Sequence, residues 1–297
     1  MMEPVVRVEE RSGNPCLGEV KFSFSKAFWN LGMLFLAVIL CPFTFSVQAF
    51  WLFVVSTYFS LLIGHSVGMH RMMIHRTFET PKFIERLLIY AGVLVGMAGP
   101  LGIIKIHDTR DWAQRQPNCH SFFSHTKPYL QDLWWQLTSN FMFEIPPSLK
   151  IEERYSKDPF YKFLEKTWRW HQLVLGILLY LWGGWAFVVW GVFARVSLSI
   201  VGHWTITYFC HNPGPGIWRV KNASVQASNI PGLGIITYGE CWHNNHHAFP
   251  ESARIGLEKG QCDPSWRFIQ ILRLLGFASN IGKPRPPEER EDLYVSS

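Results

Sequence analysis

Charge is scarce in this 297-residue chain, at 17% of residues against 48% hydrophobic, and in two places it all but vanishes. Between Lys26 and Arg71 lie 44 residues without a single Lys, Arg, Asp or Glu, and between Arg169 and Arg219 lie 49 interrupted only by Arg195. A helix that faces water must show a polar stripe, so these stretches do not belong to a soluble core. The six cysteines, Cys16, Cys41, Cys119, Cys210, Cys241 and Cys262, form no CxxC pair and no regular framework. That excludes a secreted disulfide scaffold and suits a reducing compartment. The polar stretch Met1–Lys21, which holds Arg7, Arg11 and Lys21, has no apolar core of its own, so a cleaved signal peptide is not expected. Internal repeats, a Gly-rich dinucleotide loop and a haem-binding module are also missing. No basic run is interleaved with aromatics, so the net charge of +6 does not point to nucleic acid. It suits anionic lipid or an acidic redox partner instead.

A bilayer crossing takes about 20 apolar residues. The first uncharged stretch predicts two crossings, Phe28–Phe45 and Gln48–His65, turned around Pro42. The second predicts two more, His171–Phe187 and Gly191–Cys210, with a break at Gly183–Gly184. Both turns are nearly free of Lys and Arg, which places both termini and the segment between the pairs in the cytoplasm. Trp51, Trp182, Trp185 and Trp190 fit an aromatic belt on the outer side. A fifth apolar segment, Leu87–Ile104, holds Gly92, Gly96, Gly99, Pro100 and Gly102, which weaken a straight helix. It is expected to be re-entrant or to lie at the interface. Residues 267–275 alternate so that Phe268, Ile271, Leu272 and Leu275 oppose Arg267, Gln270 and Arg273, which predicts a basic amphipathic helix on the membrane surface. The expected architecture is therefore an all-α integral membrane protein, four transmembrane helices carrying a cytosolic helical cap. It divides into a cytosolic N-terminal segment (1–27), a membrane domain (28–282) and a disordered, Pro- and charge-rich tail (283–297).

Chemistry shows in the 12 histidines. His70 and His75 form HxxxxH just beyond the second crossing, His107 follows the disputed segment, and His211 ends the fourth crossing. His243, His246 and His247 form HxxHH in WHNNHH. With four crossings, all seven emerge on one cytoplasmic face. Neutral imidazoles are good ligands for iron and surround a metal without adding charge, which leaves it electrophilic enough to activate O2. Seven provide enough ligands for two metals.

GHSVGMHRMMIHRTFETP and GECWHNNHHAFPESARIGL resemble the first and third histidine boxes of membrane-bound fatty acid desaturases, of the acyl-CoA (stearoyl-CoA-like) delta-9 branch. CHNPGPGIW, Cys210–Trp218, is similar to the extra histidine segment of that family, and the likeness runs from about residue 28 to 275. The resemblance implies four spans under a cytosolic cap holding two irons, and ligation by His70, His75, His211, His243, His246 and His247, with His107 as the first residue of the middle box. It also implies a long-chain fatty acyl substrate on CoA, acyl carrier protein or lipid. Electrons would come from an external donor such as a ferredoxin or cytochrome b5. The middle box departs from the family's HxxHH: here it reads His107-Asp108-Thr109-Arg110-Asp111. Asp111 remains a possible iron ligand, whereas the permanently cationic Arg110 does not. Arg110 is expected to pair with Asp108 or Asp111 or to hold a substrate phosphate, and Thr207 stands where the family often has Asn. PNCHSFFSH, with His120 and His125, falls where the family has a substrate-lining segment. His65 and His203 lie inside crossings, where a neutral histidine bonds across helices. Trp204 and Trp242 are candidates to line an acyl tunnel or simply to pack. Arg71, Lys105, Arg110 and Lys127 are candidate contacts for a CoA phosphate.

Three readings compete. The leading one is an iron- and O2-dependent desaturase. A hydroxylase or other C–H oxidase on the same scaffold follows from the altered middle box. A non-catalytic lipid-binding homologue would lack metal. A transporter fits less well, because the histidines gather at one face and not at the midplane.

Overall fold

The structure, a computed structural model, describes residues 3–9 and 12–295. A short strand β1 (Gly18–Phe22) leads into helix α1 (Phe24–Leu40), which stops at a tight turn around Pro42. The Ser46 hydroxyl accepts from the Ala49 N–H and starts α2 (Val47–Ile74). This helix is α-wound to Phe59 and π-wound from Ser60 to Ile74. Then come α3 (Lys82–Leu94), α4 (Pro100–Arg115), α5 (Ser121–Ser124), α6 (Tyr129–Thr138) and strand β2 (Ser139–Phe143), antiparallel to β1. Helices α7 (Glu153–Ser156) and α8 (Pro159–Thr167) precede α9 (Trp170–Val188), which a π-wound stretch, Val189–Ala194, joins to α10 (Arg195–Cys210). Strand β3 (Trp218–Val220), the short helix α11 (His243–Ala248), helix α12 (Pro264–Leu274) and strand β4 (Leu293–Val295) complete the chain.

The molecule is thus helical, with two two-stranded ribbons and no closed sheet among the described residues. Three helical runs are long and apolar enough to cross a membrane: Phe24–Phe43, Val47–Ile74 and Trp170–Cys210. Their flanks are exposed apolar side chains, among them Phe28, Phe35, Trp51, Leu181, Trp182 and Trp185, which in water would be a large unpaid hydrophobic surface. The last run is not one straight helix. Gly183 (φ −145°, ψ 18°) and Gly184 (φ 66°, ψ −160°) leave the helical region, and a positive φ of this kind favours glycine.

The disputed segment 87–104 is not among the long apolar helices. It forms the end of α3 and the start of α4, separated at residues 95–99, where Gly96 takes φ 82°. Glu165 of α8 accepts from the Leu101 and Gly102 N–H groups and so caps α4. Arg195, fully buried, donates to the carbonyls of Gly191 and Leu94 and to Gln172 Oε1, tying α3 to α9 and α10.

One expectation needs correction. The C-terminal stretch is ordered as far as residue 295: β4 pairs with β3, Leu293 is buried, and Arg290 pairs with Asp292 and donates to the Ala248 carbonyl. Pro and charge had masked a short alternating strand. Helix α12 buries Ser265, Ile269 and Leu272, while Ile271, Leu274 and Leu275 stay exposed. Ser265 bonds to Ser66 of α2 and anchors the helix there, and the exposed apolar side chains remain available to a membrane surface.

Candidate metal centre

The HxxxxH spacing gains its meaning from the π-winding of α2. On an α-helix, residues five apart point about 140° away from each other. A π-helix closes its hydrogen bonds from i to i+5 and brings that spacing back to one face. The His75 N–H accordingly donates to the His70 carbonyl at 3.0 Å. The His65 and His70 rings are stacked at 6.4 Å, and the His70 and His75 rings meet edge-on at 4.8 Å.

All seven histidines singled out in the sequence come together, in two groups. His70, His75, His107 and His246 have ring nitrogens within 4.8 Å of one another, and so do His211, His243 and His247. Helix α2 contributes two, α4 one, the end of α10 one and α11 three. Nε2–Nε2 distances are 3.3 Å for His75–His107, 3.3 Å for His211–His243 and 3.1 Å for His243–His247. Burial, with the fields of neighbouring imidazoles, holds His75, His211, His243 and His246 well below the usual histidine range, and burial brings His247 down to about 3. Seven imidazoles gathered around two small spaces are a donor set that either group could close around a metal ion.

In three of them the other ring nitrogen is held. His70 Nδ1 lies 2.7 Å from a Glu240 carboxylate oxygen, His211 Nδ1 is 2.7 Å from the Thr207 carbonyl, and His107 Nδ1 is 3.2 Å from Asp108. Such partners fix the tautomer that leaves Nε2 free to ligate. Glu240 also takes Arg71 at 3.2 Å and the Ser66 hydroxyl. Burial alone would push this carboxyl up, but His70 and Arg71 outweigh it and hold Glu240 ionised. Sequence reading passed over Glu240, although it stands three residues before His243 in the third box. It also passed over Arg7, which bridges Asp108, Glu152 and the carbonyls of Met73 and Ile74.

Asp111 faces both groups. One oxygen is 3.6 Å from His107 Nδ1, and Oδ1 is buried without a hydrogen-bond partner. Burial would raise its pKa, yet His107, His247 and Arg110 together keep it well below the usual carboxylate range. Arg110 lies 3.7 Å from Asp111 and does not reach Asp108, which is taken by Arg7.

A cavity of about 780 Å³ opens beside the histidines. Its wall includes His70, His107 and His243, together with Arg110, His65, His203, Trp204 and Thr207. Trp204 is thus where a tunnel residue should be. Trp242 is not on this wall; it is buried and donates to the Cys262 carbonyl, a packing role. His120 and His125 are not on it either. His120 caps α5 by accepting from the Phe122 N–H. His125 is buried against Asp132 at 2.9 Å and stacks on His211 at 5.4 Å. Arg71 is unavailable to a phosphate because it is buried between Glu240 and Asp263.

Comparison with known proteins agrees with this geometry. The family model described as fatty acid desaturase matches residues 45–255. The sn-1 stearoyl-lipid 9-desaturase of Anabaena variabilis is 35% identical over 74% of this chain and 78% of its own length. The delta-9 acyl-lipid desaturase 1 of Arabidopsis thaliana is 32% identical over 91% and 87%. An acyl-CoA 5-desaturase of Anemone leveillei is 31% identical over 88% and 80%.

Proposed function

This chain belongs to the fatty acid desaturase family, and from that premise we propose that it removes two hydrogens from a long acyl chain held in the cavity beside the two histidine groups. It is an integral membrane oxidoreductase of lipid metabolism. In the reaction O2 takes up four electrons, two from the pair of C–H bonds and two from an external donor, leaving a C=C bond and two waters.

The observation that carries the reading is the convergence of seven histidines, in two groups, beside a cavity of about 780 Å³. His70, His75, His107 and His246 would hold one iron; His211, His243 and His247 would hold the second, with Asp111 completing it. Asp111 Oδ1, buried with no hydrogen bond and only a long 3.7 Å ion pair to Arg110, supports that last ligand, since a buried carboxylate oxygen without a hydrogen bond is costly. Bound iron would supply the binding and reduction of O2. The chain's own residues do the rest. Glu240, Asp108 and the Thr207 carbonyl orient the imidazoles. The cavity wall selects which carbons lie beside them and keeps bulk water away. The acyl carrier is CoA, acyl carrier protein or lipid, and a separate ferredoxin- or cytochrome b5-like protein delivers the electrons.

Four crossings suit the helices. The run Trp170–Cys210 has 41 residues, which at the α-helical rise is about 60 Å, twice a bilayer's hydrocarbon thickness. Its break at Gly183–Gly184 lets it cross twice. With Phe24–Phe43 and Val47–Ile74 this makes four, with residues 28–282 as one membrane unit and both termini and the histidines on the cytoplasmic side.

The test is metal content per chain, by mass spectrometry on detergent-purified protein, alongside products from a saturated acyl substrate. About two irons in the wild type, falling towards one in Asp111→Ala, with an unsaturated product that needs O2 and a reductant, is the expected result. Iron-free wild type that forms no oxidised product would overturn the reading.

A further inference from the structure

Arg110 is a buried cation with almost nothing to pair with. It is 8% exposed, and its Nε makes no hydrogen bond. Its one ion pair, to Asp111, is long at 3.7 Å, and it would weaken further if Asp111 ligates a metal as proposed above. Guanidinium carries five N–H donors in a planar fork, and burying it unpaired is among the costlier arrangements a protein can hold. The side chain lines the cavity at the level of His107 and His243.

It is not the only polar group there. His65 and His203, from α2 and α10, meet edge-on at 4.9 Å on the same wall and make no hydrogen bond to any described residue. Further along the wall, the buried hydroxyls of Thr57 and Ser199 also lack partners. Water can satisfy these groups while the cavity is open. A plain methylene chain would displace that water and return nothing, at a cost of the order of a lost hydrogen bond for each group.

We propose that Arg110 binds an oxygen-bearing group (carbonyl, hydroxyl or carboxylate) that the acyl chain carries close to the carbons being oxidised, so that the substrate is an oxygenated chain and not a plain one. The inference rests on the desaturase reading for the reaction, but not for the binding. An oxygen acceptor gives the guanidinium its missing partner, with His203 and His65 as further donors. It also acts as a second ruler, at the metal centre itself, besides the carrier at the far end of the chain.

Binding is measured on the full-length protein with zinc in place of iron, so that nothing turns over, by tryptophan quenching with defined probes. These are methyl palmitate, its single-keto and single-hydroxy positional isomers, and free palmitate. In the wild type the best oxygenated isomer should bind roughly 10- to 100-fold tighter than methyl palmitate, the range of a charge-assisted hydrogen bond. In Arg110→Leu the ratio should fall to about one, with Arg110→Lys in between. A preference for a keto or hydroxy isomer identifies an in-chain oxygen and supports the assignment, whereas a preference for free palmitate alone means a head-group carboxylate on a plain chain and overturns it. Equal binding of all probes to the wild type, or a preference that survives in Arg110→Leu, overturns it. The wild-type arm decides even if a variant fails to fold. With iron restored, equal kcat/KM on plain and oxygenated chains would also overturn it while leaving the desaturase standing. Discriminating binding in a protein that takes up no iron would keep the Arg110 assignment and remove the desaturase.

Discussion

Glu240 lies 2.7 Å from His70 Nδ1, 3.2 Å from Arg71 Nη2 and within hydrogen-bond reach of Ser66, so one carboxylate connects an imidazole of the metal centre to the pair that Arg71 forms with Asp263. Replacing it by Gln keeps the shape but removes the charge that makes His70 a stronger donor. Glu240→Gln should bind iron or zinc about 10- to 100-fold more weakly, as read by chelator competition, with little change in melting temperature. Glu240→Ala should add a stability loss of about 3–5 kcal/mol, because Arg71 would then remain buried with only Asp263. Equal metal affinity in wild type and Glu240→Gln would show that the carboxylate only packs. This link was out of reach of the sequence, since its partners lie 169 and 174 residues away. The histidines could be found because their clustering survives in one dimension.

Elements are where glycine was read with only half its meaning. In 87–104 glycine weakens a helix, and Gly96, with φ 82°, does break the chain there. Gly92 does something else. It faces α2 at the point where Gly64 approaches, and a Cβ on Gly64 would lie 2.3 Å from the Ala91 carbonyl carbon. A Cβ on Gly68 would meet the Leu88 carbonyl oxygen at 2.6 Å. The obstacles are backbone, which cannot rotate aside, so these glycines let α2 and α3 touch. Since α2 carries His70 and His75, the same contact sets the position of the metal centre. Gly64→Ala is expected to cost about 1–3 kcal/mol or more through overpacking, and to lower metal content with it. Gly176→Ala, whose new methyl would find only ordinary contacts at 3.8 Å, should change neither. Thermal melting and metal analysis of the two variants in the same detergent make the comparison; identical losses would mean that the α2–α3 contact has no special part. The π-winding of α2 was likewise hidden, because the sequence shows the five-residue spacing but not the helix that makes it one face.

At the scale of the whole molecule, the two uncharged stretches were enough to place the long apolar helices, while the count of crossings hangs on how the run Trp170–Cys210 is divided. If that run crossed once, its far end, with His211, would emerge on the side opposite to its start at Trp170, and β1, β2, α4 and α11 could not share one face with the histidines they surround. Two crossings would remove the conflict, and on the proposed arrangement the Lys and Arg distribution would put the histidines on the cytoplasmic face. The native cysteines offer the measurement. Cys16 and Cys262 are exposed and, with four crossings, would lie on the histidine side, whereas Cys41, in the turn after α1, would lie on the other. In single-cysteine variants expressed in sealed inside-out vesicles, a membrane-impermeant maleimide should label Cys16 and Cys262 and leave Cys41 until the vesicles are opened with detergent. Adding a reporter cysteine at Trp182, exposed beside the Gly183–Gly184 break, extends the test to the second pair. It should follow Cys41 if the break is an outer turn. If it labels with Cys16, the 41-residue run does not reach the far side at its middle, and the four-crossing arrangement is wrong.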